Sequence, residues 1–296
     1  MKAVLGVDLA GNYQFALDLL KRLQIPGLEV VAFHAVPSVL PDGGFPSVGP
    51  AHPVGNMIAE LQQNGQQKLV EVKEDLDSAG IPCEAVLEFG DACAQIHAYC
   101  DAHPVELVAV GSERKSAWES FLFGSVAKGL TISMETSLLV AEQPKSQHEG
   151  LRLLVATDHS AYGDECLKMI AGLQAKGIAK IDVVHVINPL EAAVSMDFGG
   201  YVPEIASAAL QMRERSVAMN EELAESLSAL GAEVATHIWQ AENGVKNAIV
   251  ECAKSLESDL VVVGAQGHGF VERKLMGSTS YDLVVDTDLS VLILRK

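Results

Sequence analysis

Three glycines followed by a glycine and three hydroxyl residues are the side chains, and the missing side chains, whose spacing could do chemistry in this sequence. In "VVVGAQGHGFVERKLMGSTS", residues 261–280, an apolar run ends at Gly264, Gly267 and Gly269 follow, and Gly277 leads into Ser278, Thr279 and Ser280. A short apolar run ending in glycine reads as a buried strand whose chain turns as it leaves the sheet. Gly267 and Gly269 adopt positive φ cheaply, so successive amides can face inward as an anion nest and phosphate oxygens can approach closely. Gly277 and the hydroxyls open a helical segment running to about Val285, whose first turn offers unpaired N–H donors at the positive end of the dipole. The two clusters read together as a two-sided phosphate cradle, with Arg273 and Lys274 adding local charge between them. A plain turn followed by a helix cap is the structural alternative for the same residues.

Composition limits what surrounds that cradle. The chain has 296 residues, 49% of them hydrophobic, enough for two domains of ordinary size with real cores. Its formal net charge of -18, from 21 Lys plus Arg against 39 Asp plus Glu, argues against a general nucleic-acid or anionic-membrane surface. Any phosphate must therefore be held locally. Lys2 is followed by only a few apolar residues before Asp8, too few for a signal sequence or a membrane span, and the expectation is a cytoplasmic protein. Cys83, Cys93, Cys100, Cys166 and Cys252 show neither C-x-x-C nor metal spacing, which argues against a disulfide framework and a zinc site.

The elements that must position the cradle occur twice. "KAVLGVDLA" from Lys2 matches "RLLVATDHS" from Arg152, "ELVAVGS" from Glu106 matches "DLVVVGA" from Asp259, and "FGSVAKGL" from Phe123 matches "MGSTSYDL" from Met276. Such a duplication means two copies of one structural unit. The polar stretch "QPKSQHEG", residues 143–150, separates them as a linker, giving expected domains over 1–143 and 151–296. In each half, short apolar runs alternate with helical periodicity, the pattern of an open, mostly parallel sheet with helices on both faces.

In the second half strands are expected near 151–157, 180–187, 232–239, 258–264 and 289–295. Between the second and third, Ile205, Ala209, Met212, Ser216, Met219, Leu223 and Leu230 recur at helical spacing, with Pro203 suited to the first turn. The connections "PSVLPDGGFPSVGPAHP" and "NPLEAAVSMDFGGYVP" read equally as lids over a ligand or as disordered tips. Ligands of open parallel sheets bind outside the carboxyl ends of the strands, which is where Gly264 stands.

The spacing Gly264-x2-Gly267-x9-Gly277-Ser278, after the fourth strand of a duplicated unit and with Asp158 ending the first strand, resembles the universal stress protein family. The resemblance spans the chain as a tandem of two domains. It implies five-stranded α/β units of the adenine nucleotide alpha hydrolase type, with ATP, with or without bound Mg2+, as cofactor. Carried over by position, it implies that Asp158, Val186, Val263 and Gly264 border the adenosine. Gly267, Gly277, Ser278, Thr279 and Ser280 would hold ribose and phosphates, with His268 at the margin of the γ-phosphate. Structural roles exist beside these: Asp158 as a helix N-cap, Val186 as sheet core, His185 as strand-end packing. The resemblance also implies that the apolar terminal strands "TSLLVAE" and "LSVLILRK" pair within the chain as a pseudo-dimer, with a further homodimer open.

The first half keeps Gly111, Gly124 and Ser125 but has Arg114 at the second glycine, Glu113 beside it and Ala35 for the valine. A guanidinium at a strained position would fill the space a phosphate needs, so weak ATP binding is expected there. Arg114 turned inward as a phosphate ligand is the opposing reading.

The functional expectation is an ATP-binding stress-response protein acting through conformation and protein partners. No paired carboxylates, Ser-His-Asp or Cys-His spacing assigns a catalytic group, so hydrolysis would at most be weak, with Asp158 or His268 orienting water. A nucleotide-independent interaction or small-ligand protein remains the alternative.

Overall fold

The computed structural model describes residues 1–37, 53–112, 124–145, 148–187, 203–266 and 276–296, without the side chains of 53–55, 203–209 and 212. Residues 38–52 and 188–202 of the lid-like connections, Glu113 and Arg114, and Gly267, His268, Gly269, Arg273 and Lys274 lie outside the described residues. The chain divides into two compact units, one of Met1–Lys21 and Gly27–Glu142, the other of Gln143–Lys296 with Arg22–Pro26.

Among the described residues the first unit runs β1 (Lys2–Gly6), α1 (Tyr13–Leu23), β2 (Glu29–Val36), α2 (Pro53–Ser78), β3 (Cys83–Phe89), α3 (Ala92–Ala102), β4 (Leu107–Gly111), α4 (Ser125–Ser133) and β5 (Ser137–Ala141). The second runs β6 (Leu151–Thr157), α5 (Ala161–Gly172), β7 (Ile178–Ile187), α6 (Pro203–Ser228), β8 (Glu233–Gln240), α7 (Val245–Ser255), β9 (Leu260–Gly264), α8 (Ser278–Asp286) and β10 (Val291–Leu294). Strand order is β3-β2-β1-β4-β5 in the first unit and β8-β7-β6-β9-β10 in the second, and the pairs within each unit are parallel.

Continuous apolar strands are what such a sheet requires, because helices cover both faces. Leu153, Leu154 and Val155 of β6 and Val261, Val262 and Val263 of β9 are all buried. From β6 the chain steps to β7 and β8 in one direction, then returns to place β9 on the other side of β6. Right-handed crossovers put α5 and α6 on one face and α7 and α8 on the other, and α5 packs on α6 while α7 packs on α8. The reversal leaves a crevice at the carboxyl ends of β6 and β9. Register brings the strand ends level there, with Thr157 opposite His185 and Ala156 opposite Val263.

The sequence pattern for α6 needs one correction. The helix begins at Pro203 as expected, but its last residue is Ser228, so Leu230 falls beyond it. Gly231, at φ +76°, and the bond from its N–H to the Ser228 carbonyl turn the chain away. Asn220, Leu223 and Leu227 make the buried line. The polar member hid this line from a search for apolar spacing. Asn220 Nδ2 donates to the His237 carbonyl at 2.9 Å, tying the helix to the outer strand β8.

A second buried polar group lies beneath that strand. Asp182 of β7 is fully buried, and its Oδ1 accepts from His237 Nε2 at 2.7 Å and from Lys180 Nζ at 2.9 Å. The partners retain solvent contact at 28% and 24% side-chain exposure, so the buried charge is neutralised from the sheet's wet edge. All five cysteines are free. Burial, aided by the Asp182 charge, pushes the Cys252 thiol up to about 12, so it packs as a neutral side chain.

Candidate nucleotide site at the β6–β9 crevice

A cavity of about 420 Å³ occupies the crevice of the second unit. Asp158, Val186, Val263, Gly264, Gly277, Ser278, Thr279 and Ser280, drawn from three separate elements and the turns beside them, line it together. Gly267 and His268 lie outside the described residues. Val245 and Ile249 add an apolar wall from the start of α7, four residues apart on one helix face. That pair was passed over in the sequence, where a helix beginning after the third strand gives no sign of which strand ends it will cover. Thr157, Gly163 and Gln266 also join the lining.

The helix end carries the anion chemistry. Gly277, in extended conformation at φ -64°, caps α8 without a side chain, so no capping group occupies the first-turn amides. Its own N–H donates to the Ala265 carbonyl at 2.8 Å, which fixes where the helix starts. Ser280 Oγ donates to the Gly264 carbonyl at 2.8 Å and so braces the end of β9. Ser278 and Thr279 are the hydroxyls left on the cavity wall by that arrangement, Ser278 exposed and Thr279 half-buried. Among the described lining residues there is no lysine or arginine. Attraction for an anion would therefore come from the helix terminus and hydroxyls.

Close backbone approach explains two of the glycines. A Cβ on Gly264 would come within 3.2 Å of the Gly163 Cα, and one on Gly163 would meet Ser160 Oγ at 2.8 Å and Asp158 Oδ1 at 3.3 Å. Ser160 is the N-cap of α5, its side chain accepting from the Gly163 N–H at 3.1 Å. Asp158 is thus not the cap itself. It holds the turn one step earlier, its Oδ1 accepting from the Ser160 N–H at 3.0 Å.

The residue after Asp158 is strained. His159 has φ 56°, in the left-handed region that a non-glycine residue occupies at a cost. Its side chain is 5% exposed, and its Nδ1 lies 3.7 Å from Asp164 Oδ1. The ring packs on His185 with centroids 4.8 Å apart, and His185 Nδ1 donates to the Thr157 carbonyl at 2.9 Å. Neither histidine is among the lining residues, which agrees with a packing role for His185.

Burial pushes the Asp164 carboxyl upward, but contact with His159, the 2.9 Å bond from Thr157 Oγ1, and the nearby His159 and Lys168 charges outweigh it. The net position is below the ordinary carboxylate range. The folded state therefore releases this proton more readily than the unfolded chain. Its stabilisation is present above the unfolded value and is lost as pH falls through the lowered folded value. Asp164→Asn should flatten the fall of the melting temperature as pH drops through and below the ordinary carboxylate range. An acid limb superimposable on that of the wild type would show that Asp164 contributes none of it.

Comparison with known proteins identifies the family of this chain. The model of the universal stress protein family matches residues 5–141 and again residues 151–295. Universal stress protein MJ0531 of Methanocaldococcus jannaschii is 28% identical over 120 residues, covering 40% of this chain and 68% of that protein. A crystal structure of a universal stress protein from Archaeoglobus fulgidus aligns over 99% of this chain and 98% of its own, with a TM-score of 0.65 at 20% identity. A putative universal stress protein from Pseudomonas aeruginosa aligns over 99% and 92%, with a TM-score of 0.54 at 14% identity. At those identities the solved structures speak to fold, and the two family matches speak to descent: this chain belongs to the universal stress protein family, with the family's domain present twice.

Proposed function

We propose that the second unit binds ATP in the β6–β9 cavity and that the bound nucleotide serves a stress response by favouring one conformation or one set of protein partners. The observation that carries this reading is the convergence of the uncapped α8 terminus, Ser278, Thr279, Asp158 and the apolar Val186–Val245–Ile249 wall on one cavity. An apolar wall suits a nucleobase, and a helix N-terminus with hydroxyls suits phosphates. In this assignment Gly267 extends the amide cradle, His268 stands at its margin, and Mg2+ enters bound to the phosphates. The protein would act in the cytoplasm.

Mass spectrometry of nucleotide released from freshly purified protein, with calorimetric titration of the emptied chain, tests the assignment. One ATP per chain is expected. Nucleotide at a hundred times its dissociation constant should stabilise the protein by about 2.7 kcal/mol. Protein that carries no nucleotide and melts at the same temperature with and without millimolar ATP would remove ATP from the account. Two sites of equal affinity would remove the assignment to the second unit alone.

A further inference from the structure

The first unit has its own cavity, about 320 Å³, at the carboxyl edge of β1, β2 and β4. It lies where the crevice of its sheet must lie, since β2 and β4 flank β1 just as β7 and β9 flank β6. Its chemistry differs at matched positions. Helix α4 opens Ser125-Val126-Ala127 where α8 opens Ser278-Thr279-Ser280, so two hydroxyls give way to alkyl groups, and all three α4 residues line the cavity. Leu9 follows Asp8 where His159 follows Asp158, and Leu9 faces the cavity whereas His159 does not line its own. Phe33 and Leu61 enlarge the apolar wall.

Among the described lining residues the one carboxylate is already engaged. Asp8 Oδ2 accepts from Asn12 Nδ2 at 2.6 Å, and Oδ1 accepts from the Tyr13 N–H at 3.1 Å. Among the described lining residues no lysine or arginine stands opposite it. A phosphate would meet one hydroxyl in the first three residues of α4 against three in those of α8. An uncharged, largely apolar molecule would gain from the alkyl wall, while His34 in the same lining keeps a buried Nε2 that has no hydrogen-bond partner.

We propose that the first-unit cavity is a binding site for an uncharged, largely apolar small molecule that carries no phosphate. Its size falls within the roughly 300–1,000 Å³ of small-molecule sites. The site is separate from the nucleotide cavity, and its occupancy does not depend on the ATP assignment. One chain would then report on two unlike ligands.

The test uses the neutral fluorophore N-phenyl-1-naphthylamine with the full chain. Saturable binding at one site is expected, undisturbed by saturating ATP. Ala35→Trp places a ring in the cavity, and Val126→Glu places a charge there without adding much volume. Each should weaken the probe at least tenfold, while Val70→Glu, on an exposed face of α2, leaves the affinity unchanged. Melting curves check that the variants fold, and the two cavity variants act by different means, so failure of one to fold leaves the other decisive. Absence of saturable binding, displacement by ATP, or an affinity unaltered in a folded cavity variant would overturn the proposal. None of these results bears on ATP retention by the second unit, which calorimetry reads separately.

Discussion

ATP affinity should fall about a hundredfold or more when Ser278→Ala and Thr279→Val are combined, with adenosine affinity little changed. Each hydroxyl is expected to donate to a phosphate oxygen, and hydrogen bonds to charged groups contribute about 1.5–3 kcal/mol each. Two such losses amount to at least about 3 kcal/mol, and every 1.4 kcal/mol or so is a factor of ten. Valine keeps the β-branched shape of threonine, so the first turn of α8 should persist. Ser280 makes a useful contrast. Its hydroxyl braces the Gly264 carbonyl, so Ser280→Ala should cost stability before it costs affinity. Calorimetric titration with both ligands decides the matter: equal losses for ATP and adenosine would mean that the hydroxyls do not face phosphates.

Gly111→Ala should destabilise the first unit by about 3 kcal/mol or more, the upper end of what overpacking costs. An added Cβ would sit 2.0 Å from the Asn12 carbonyl oxygen and 2.3 Å from its carbon. Both atoms are backbone, so no rotamer change relieves the overlap, and the end of β4 or the β1–α1 turn must shift. The equivalent Gly264→Ala meets the Gly163 Cα at 3.2 Å and needs a displacement of only a few tenths of an ångström. Scanning calorimetry should show a fall of about 10 °C for Gly111→Ala, on the usual scaling for a unit of this size, and a clearly smaller one for Gly264→Ala. A Gly111→Ala protein that melts with the wild type would mean the two backbones are not in contact.

Much of the fold is legible in the sequence because a parallel sheet writes itself as short apolar runs bounded by turns. The expected strand near 151–157 is Leu151–Thr157, and the one near 258–264 is Leu260–Gly264. The start of α8 was legible for a local reason: glycine followed by hydroxyl residues specifies a helix terminus within a few residues of chain. Where a polar residue occupies a buried helix position, as at Asn220, apolar periodicity misplaces the buried line.

The amino-acid order alone established two copies of an α/β unit and the glycine and hydroxyl pattern that follows the fourth strand of the second. Three-dimensional packing was needed to show that Val245 and Ile249 close the second cavity, that Ser280 turns its hydroxyl to Gly264, and that Asp182 draws Lys180 and His237 around itself. The reason is the range of the forces involved. Backbone preference and hydrophobic periodicity act within one element and repeat along it, whereas a cavity wall or a buried ion pair is assembled from elements whose separation in sequence carries no record of their separation in space.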